Sequence, residues 1–393
     1  MKKRYLLLVA SAGMLQSQAQ EINKPQVIQQ VQDFKTNHKD SHYQFTVTKD
    51  ITATDVKNQN RTSTCWSYSS ESMLESEAIR LGKPAMDLSE MWIVRNAYME
   101  KALNYVRRQG KAQFDEGGEP HDVLNVIRKY GLVPESAYPG ANEKPNHAEL
   151  IAILKGYLDA VIKQPKLSDH WQEGFNGILD AYLGKRPDSF TYDNKTYTPQ
   201  SFLQFTGINP DDYVEFSSFT HHPFYKPFVI EISDNWDNGQ VYNLPMDELT
   251  ELVNNSIEKG YTVGWATDIS EKTFSFKNGI AIVPEGDFDL MTKSAQDSIF
   301  NNPVKELVIT QDMRQKAFDN LTTTDDHGMH IIGSAKDQNG TPYFIVKNSW
   351  GSERNDMKGY FFCSKSYFQF KTTCVLVNKN AVPAAMAKKV GLK

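Results

Sequence analysis

Cys65 closes a polar, turn-rich stretch, Val56-Lys57-Asn58-Gln59 and then residues 60–64. It opens the run Cys65-Trp66-Ser67-Tyr68-Ser69, which reads as a helix to about Leu81, with Gly82 as its stop and Pro84 beyond. A cysteine at a helix N-terminus lies beside unpaired backbone N–H groups and the positive end of the helix dipole. Both favour the thiolate, which is the nucleophilic form. Free cysteine is also among the most buried residue types, so an inert core thiol fits the same stretch.

A nucleophilic cysteine needs a general base, and the base needs an orienter. His327 lies in Thr324-Asp325-Asp326-His327-Gly328-Met329, just before a strand-like run. Asn348 lies in Val346-Lys347-Asn348-Ser349-Trp350-Gly351, at the end of the next such run. Asn339-Gly340 between the two runs is a hairpin signal. A hairpin returns the chain to where it began, so His327 and Asn348 are expected on the same side. The Asn348 carbonyl then holds the imidazole in one tautomer, and Trp350 shields that bond from water. His330, beside Ile331 and Ile332, competes as base but fits packing inside the strand better. His221-His222, beside Pro223, reads as a loop pair; no further ligands stand at metal spacing, so neither metal nor cofactor is expected.

The elements that position these residues change character along the chain. Residues 1–19 read as a signal peptide and residues 20–50 as a polar surface arm. Residues 51–140 are helical: the helix from Cys65, a second opened by Asp87-Leu88-Ser89-Glu90 and running to about Arg108, and a third from Pro120 to Tyr130. Ser69, Ser72 and Ser76 make one face of the first helix small enough for close packing. Residues 141–245 are richer in Asn, Asp, Pro and aromatics, with one helix near 148–162 and a hairpin at 192–197; they read as an insertion subdomain. Residues 246–393 begin with an amphipathic helix and continue as strands, a β-rich subdomain carrying His327 and Asn348. The fold class is α+β.

The chain has 393 residues, 39% hydrophobic and 23% charged, with a net charge of −5, an ordinary globular balance. No basic block stands out, so nucleic acid is not an expected partner. No apolar run of about 18 residues follows the N-terminus, so the mature chain is expected to have no membrane span. At the N-terminus itself, Lys2-Lys3-Arg4, the mostly apolar residues 5–15 and Ser17-Gln18-Ala19 read as a secretory signal cut after Ala19, which implies export. Cys65, Cys363 and Cys374 are an odd number, leaving at least one free thiol. Cys363 and Cys374 fit either a disulfide or two core thiols, and Cys65 is the odd one out.

Together these segments resemble the papain-type cysteine peptidases, and more closely the bleomycin hydrolase and aminopeptidase C branch. Val56-Lys57-Asn58-Gln59 six residues before Cys65-Trp66, then Leu88-Ser89-Glu90, Gly117-Gly118, Lys129-Tyr130-Gly131, Tyr138-Pro139, His327-Gly328-Met329 and Asn348-Ser349-Trp350-Gly351 follow the family's order. In papain-like enzymes the histidine and asparagine follow the cysteine by ~130–150 residues. Here the separations are 262 and 283, a surplus of about the size of the 141–245 insertion. The resemblance implies a papain-like fold, a helical subdomain facing a β-barrel-like one, with a large insertion. It implies Cys65 as nucleophile, His327 as proton carrier, Asn348 as its orienter, and Gln59 with the Cys65 N–H as the oxyanion hole. Gly117, Gly118 and Trp350 would line the substrate site, Gly118 offering its backbone to an added strand.

The expected activity is thiol-dependent hydrolysis of peptide bonds through an acyl-enzyme, as an aminopeptidase, with peptides as substrates and a homo-hexamer as the family's assembly. In that branch the chain's terminal carboxylate enters the cleft and receives the substrate amine. The last residues here are Gly391-Leu392-Lys393, soon after Val382-Pro383, which keeps an open-cleft endopeptidase or dipeptidase as an alternative. An amidase or acyl-transferase on non-peptide amides keeps the same residues, and a non-catalytic binding protein is the remaining alternative. Where the family has a small residue before the cysteine, this chain has Thr64, which is expected to stiffen the oxyanion loop.

Overall fold

The computed structural model describes residues 30–141 and 144–392. The signal-like residues 1–19 and the first part of the arm lie outside the described residues.

The central element is α1 (Cys65–Arg80), with Trp66 through Ala78 all buried. A helix buried on every side yet carrying three glutamates needs its charges met inside. Glu75 faces Lys57 at 2.9 Å, and Glu77 is held by Arg80 at 2.7 Å and by the Asn378 amide at 3.2 Å. On one side of α1 lie α2 (Glu90–Arg107) and α3 (Pro120–Tyr130). The Ser89 hydroxyl caps α2 by accepting from Trp92 N–H, and α3 starts on Pro120 at its first turn, where the missing N–H costs nothing.

Residues 141–245 are not one body. Helices α4 (Ala148–Val161), α5 (His170–Leu183) and α6 (Pro199–Thr206) and the hairpin β2 (Phe190–Tyr192) and β3 (Lys195–Tyr197) pack on the helical side. Leu150, Leu154, Phe175, Leu179 and Phe202 join Trp92 and Tyr98 in one core there. The rest, β4 (Tyr213–Ser217), β5 (Pro227–Val229) and β6 (Gln240–Asn243), belongs to the main sheet. The insertion thus ends near residue 207 rather than at 245. Three strands of three to five residues, without clean alternation, gave no strand signal.

On the other side of α1 the sheet continues through β7 (Val263–Thr267), β8 (Phe274–Ser275), β9 (Ile280–Ala281), β10 (His327–Lys336), β11 (Pro342–Lys347), β12 (Tyr360–Ser364) and β13 (Thr372–Asn378). Its order is β5-β6-β4-β13-β7-β10-β11-β12-β9-β8; the parallel pairs are β4 with β6 and β9 with β12. Strand β10 pairs along one edge with β11 and along the other first with β7 and then with β1 (Thr46–Asp50). Helix α7 (Met246–Glu258) covers the sheet through Leu249, Leu252 and Val253. The final helix, Ala384–Val390, packs into the same core through Met386 and Val390 and is tied to α7 by Lys389 and Glu248 at 2.8 Å.

The arm is not a surface wrap where it is described. Val31, Tyr43 and Phe45 are buried in a third core with Ile332, Ile345 and Phe362, and the Phe45 ring stacks on Phe362 at 3.7 Å. Tyr43, Phe45 and Val47 alternate with polar residues, a period of two that is a strand signal.

Candidate active site

The N-terminal end of α1 meets the start of β10. A Cβ on Gly328 would stand 2.8 Å from Ser69 Oγ and 3.3 Å from both Cys65 O and Trp66 Cα. Only a residue without a side chain lets β10 approach this closely, and the small face of α1 supplies the other half of the fit. His327 is therefore the first residue of β10, opposite Thr267, rather than a residue before the strand. Hairpin β10–β11 then returns Asn348 to the same end. Its turn spans residues 337–341 and is closed by the Asp337 carboxylate, which accepts from Asn339 N–H at 2.9 Å and Thr341 N–H at 2.8 Å.

His327 is 5% exposed, and its Nε2 lies 2.7 Å from Asn348 Oδ1. The same oxygen accepts Ser349 N–H at 2.7 Å, which fixes the amide's orientation. Nε2 therefore carries the proton and Nδ1 is left with a lone pair. The Trp350 ring lies 4.7 Å from the imidazole, and Phe276 meets Trp350 edge-on at 5.0 Å. Burial holds the imidazole down at about 4, against the upward pull of Asn348, so it is a neutral base.

Cys65 is half-buried and free. Burial pushes its thiol up to about 12; the Gly328 and Trp66 N–H groups pull it back, and the Asp325 and Asp234 carboxylates push it further up. This is the opposite of the shift expected from the helix N-terminus alone. Desolvation outweighs the two N–H groups. Taken singly, both groups rest neutral. A proton passed from Sγ to Nδ1 would make two opposite charges, each the other's counter-ion, with an acceptor already on Nε2–H.

Gln59 sits on a loop stitched to the Asn348 segment. Gln59 N–H donates to Ser349 O at 2.8 Å, Gly351 N–H to Lys57 O at 3.0 Å, and Ser349 Oγ to Gln59 Oε1 at 2.6 Å. Gln59 Nε2 gives one hydrogen to Thr62 O at 2.7 Å, leaving the second. The Thr62 hydroxyl donates to Gln59 O at 2.8 Å, so the 2.7 Å contact between the two threonine hydroxyls is donated by Thr64. Thr64 thus supports the Gln59 loop through its hydroxyl. Ser349, Thr62 and Thr64 are supporting residues that sequence reasoning did not single out for this purpose.

Behind the loop, Lys57 Nζ lies 2.9 Å from Glu75, 2.5 Å from Asp87 and 2.6 Å from Glu90. Lys347 Nζ donates to Ser72 Oγ at 2.8 Å and Thr54 Oγ1 at 3.2 Å. These charges tie the residues next to Gln59 and Asn348 to α1 and α2. His330 points into this support: its Nδ1 is 2.9 Å from Ser72 Oγ, and it is 1% exposed, out of reach of a substrate.

Gly118 lies under the indole of Trp66, whose Nε1 donates to Glu116 O at 3.1 Å. Lys101 Nζ donates to the carbonyls of Gly117 and Asp115. Gly118 is buried and Gly117 half-buried, and Asp234 from a loop at 230–239 comes down over Gly117. His221 and His222 lie away from Cys65 and share Glu231, at 2.9 and 2.7 Å. Their ligand atoms and those of Glu231 could face one ion. Gln315 Nε2 donates to His221 Nδ1, however, so Nε2 is the N–H that meets Glu231, and the cluster is hydrogen-bonded as it stands. Cys363 and Cys374 are separate buried thiols, not a disulfide.

A profile of the Peptidase C1-like family matches residues 181–392. Aminopeptidase C of Streptococcus thermophilus is 24% identical over 405 residues, covering 90% of this chain and 87% of its own length. Bleomycin hydrolase of Mus musculus is 25% identical over 68% of this chain and 64% of its own. PepW of Lactobacillus rhamnosis superposes with a TM-score of 0.68 at 22% identity, covering 88% of this chain and 84% of that one, a shared papain-like fold. The chain belongs to the Peptidase C1-like family of cysteine peptidases.

Proposed function

We propose that this protein is an exported thiol aminopeptidase, with Cys65, His327, Asn348 and Gln59 as its catalytic group. The observation that carries the reading is the tautomer of His327: with Nε2–H given to Asn348, Nδ1 is the base, and Gly328, the next residue, packs against the backbone of Cys65 and Trp66.

Cys65 Sγ attacks the peptide carbonyl as its proton passes to His327 Nδ1. The oxyanion that forms takes the second Gln59 Nε2 hydrogen and the Cys65 N–H. Removing one such donor typically costs on the order of 10²–10³ in rate. His327 then protonates the leaving amine and the C–N bond breaks, leaving a thioester on Cys65. Water, deprotonated by the same nitrogen, hydrolyses it and restores the thiol. Trp350 keeps solvent from the His327–Asn348 bond, and Gly117 and Gly118 line the acyl side of the cleft.

Specificity for a free N-terminus is supported by the relatives, several of which are named aminopeptidases. Paired fluorogenic peptides, one with a free N-terminus and one acetylated, test it, with Cys65→Ala as the blank. Cleavage of the free form alone supports the reading; equal cleavage of both means an open-cleft endopeptidase.

Export is supported by the basic, apolar and small-residue order of residues 2–19. The mature N-terminus, read by mass spectrometry of the secreted or periplasmic fraction, should be Gln20; an intact Met1 there contradicts it. A homo-hexamer is proposed from the family resemblance, and light scattering of the purified protein decides it.

A further inference from the structure

We propose that Asp234 is the residue that receives the substrate's α-ammonium group, and that the loop carrying it closes the acyl side of the cleft. This rests on the aminopeptidase reading and names the group that enforces it.

The loop spans residues 230–239, between β5 and β6, and is locked in place from several sides. Trp236 Nε1 donates to Asp122 Oδ2 at 2.9 Å, and Asn104 Nδ2 donates to Trp236 O at 3.0 Å. Asn235 Nδ2 spans the loop's base, donating to Ile230 O at 3.1 Å and Gly239 O at 3.0 Å. His121, at the start of α3, is clasped between Glu215 and Asp237, each at 2.9 Å. The two carboxylates hold that imidazole charged, well above its ordinary range and against the opposing effect of burial. An element held by this many side chains is a built part of the cleft wall.

What the loop delivers is one carboxylate. Asp234 Oδ2 lies only 1.9 Å from where a Cβ on Gly117 would stand, so the absent side chain at 117 is the space the carboxylate fills. Gln113 Nε2 orients it by donating to Oδ1 at 3.0 Å. Among the described residues no lysine or arginine nitrogen stands within ion-pair distance of it. Lys101, beneath the same glycines, gives its hydrogens to the Asp115 and Gly117 carbonyls. The Asp234 charge also reaches the Cys65 thiol, as one of the two carboxylates that act on it. Burial raises the Asp234 pKa and Lys101 attracts the carboxylate from a distance, but among the described residues no cation touches it; on the acyl side of the nucleophile, the carboxylate suits an ammonium one residue from the scissile carbonyl. A chain extending beyond that residue would meet the loop.

The test compares wild type, Asp234→Asn and Asp234→Lys on three versions of one fluorogenic peptide: free, acetylated and succinylated at the N-terminus. Iodoacetamide labelling of Cys65 confirms in each variant that the site is formed. In Asp234→Asn we expect kcat/KM for the free peptide to fall at least tenfold, mainly through KM, with the acetylated peptide unchanged or faster. Asp234→Lys should favour the succinylated peptide, which carries the opposite charge. A selective wild type whose Asp234→Asn and Asp234→Lys variants stay equally selective overturns the role of Asp234 and leaves the aminopeptidase reading standing. A wild type that cleaves free and acetylated peptides alike removes that reading, and the amine role with it.

Discussion

Asn348 Oδ1 accepts two hydrogens, from His327 Nε2 and from its own neighbour Ser349 N–H, both at 2.7 Å. The second bond makes the first informative. An amide whose oxygen is fixed by backbone cannot turn its NH₂ toward the imidazole, so His327 is held as the Nε2–H tautomer with Nδ1 as base. Asn348→Ala should lower kcat/KM by roughly 10²-fold, within the range that one positioned acid–base group contributes. Steady-state kinetics on a free-amine peptide check this, and a loss under threefold means the ring is oriented by something else.

In the proposed mechanism the thiol and imidazole exchange one proton between themselves, and that exchange does not depend on pH. Alkylation of Cys65 by neutral iodoacetamide should therefore be flat from about pH 5 to 8. Below about 4, solvent protonates His327, the thiol loses its acceptor, and labelling falls. An unassisted thiol behaves differently, rising tenfold per pH unit up to its own pKa near ~8.5. A profile of that second kind would show that His327 does not serve Cys65.

The same shift has a stability consequence of fixed sign. The folded state holds His327 at about 4 against an ordinary value of 6.5, so the unfolded chain binds more protons in between. Its contribution is whole above 6.5 and is lost as pH falls toward 4. His147, lowered to about 4 by burial, and His330, held well below its ordinary range by burial and by Lys347, work in the same direction. Asp325 and Glu90, raised to about 7 chiefly by burial, work in the other: their contribution is whole in acid and is lost as pH rises through 7. Replacing His330 by Gln should flatten the acid side of a curve of Tm against pH between 4 and 6.5.

Lys57 holds three carboxylates together behind the oxyanion loop. Lys57→Met leaves Glu75 and Glu90 buried without their cation, and breaking a buried pair typically costs ~3–5 kcal/mol. Urea denaturation should show a loss of that order, with activity falling because Gln59 is two residues away. A loss below about 1 kcal/mol means Lys347 takes over the charge.

The loop that carries Gln59, the proposed oxyanion donor, is held by a relay of hydroxyls, Thr64 to Thr62 to the Gln59 carbonyl. Thr62→Val breaks it while keeping the shape. We expect kcat to fall with KM nearly unchanged, by less than the on the order of 10²–10³ expected for Gln59→Ala.

The site was legible where local sequence carries it. Cys65 at a helix start, the His327-Gly328 pair and the Asn348-Ser349-Trp350 run each state their geometry within a few residues, and the hairpin signal at 339–340 joins two of them. The field at the thiol was not legible. A helix N-terminus predicts a lowered pKa, but burial reverses it and the Asp325 and Asp234 carboxylates, far away in sequence, push the same way. Asp234 itself gave no signal, since the 230–239 loop takes its place only through side-chain bonds to α2 and α3. At Thr64 the β-branch was legible, while the hydroxyl bond to Thr62 was not. Tyr43 and Phe45 did carry an alternating signal, hidden in a stretch that is polar on average.

The most direct test of Cys65 as the acylated residue is rapid acid quench of the protein turning over a free-amine peptide ester, followed by intact and peptide-level mass spectrometry. We expect a mass increase equal to the substrate's acyl group, on the peptide containing Cys65, absent from Cys65→Ala. Steady hydrolysis with no adduct, or an adduct on Cys363 or Cys374, would contradict it.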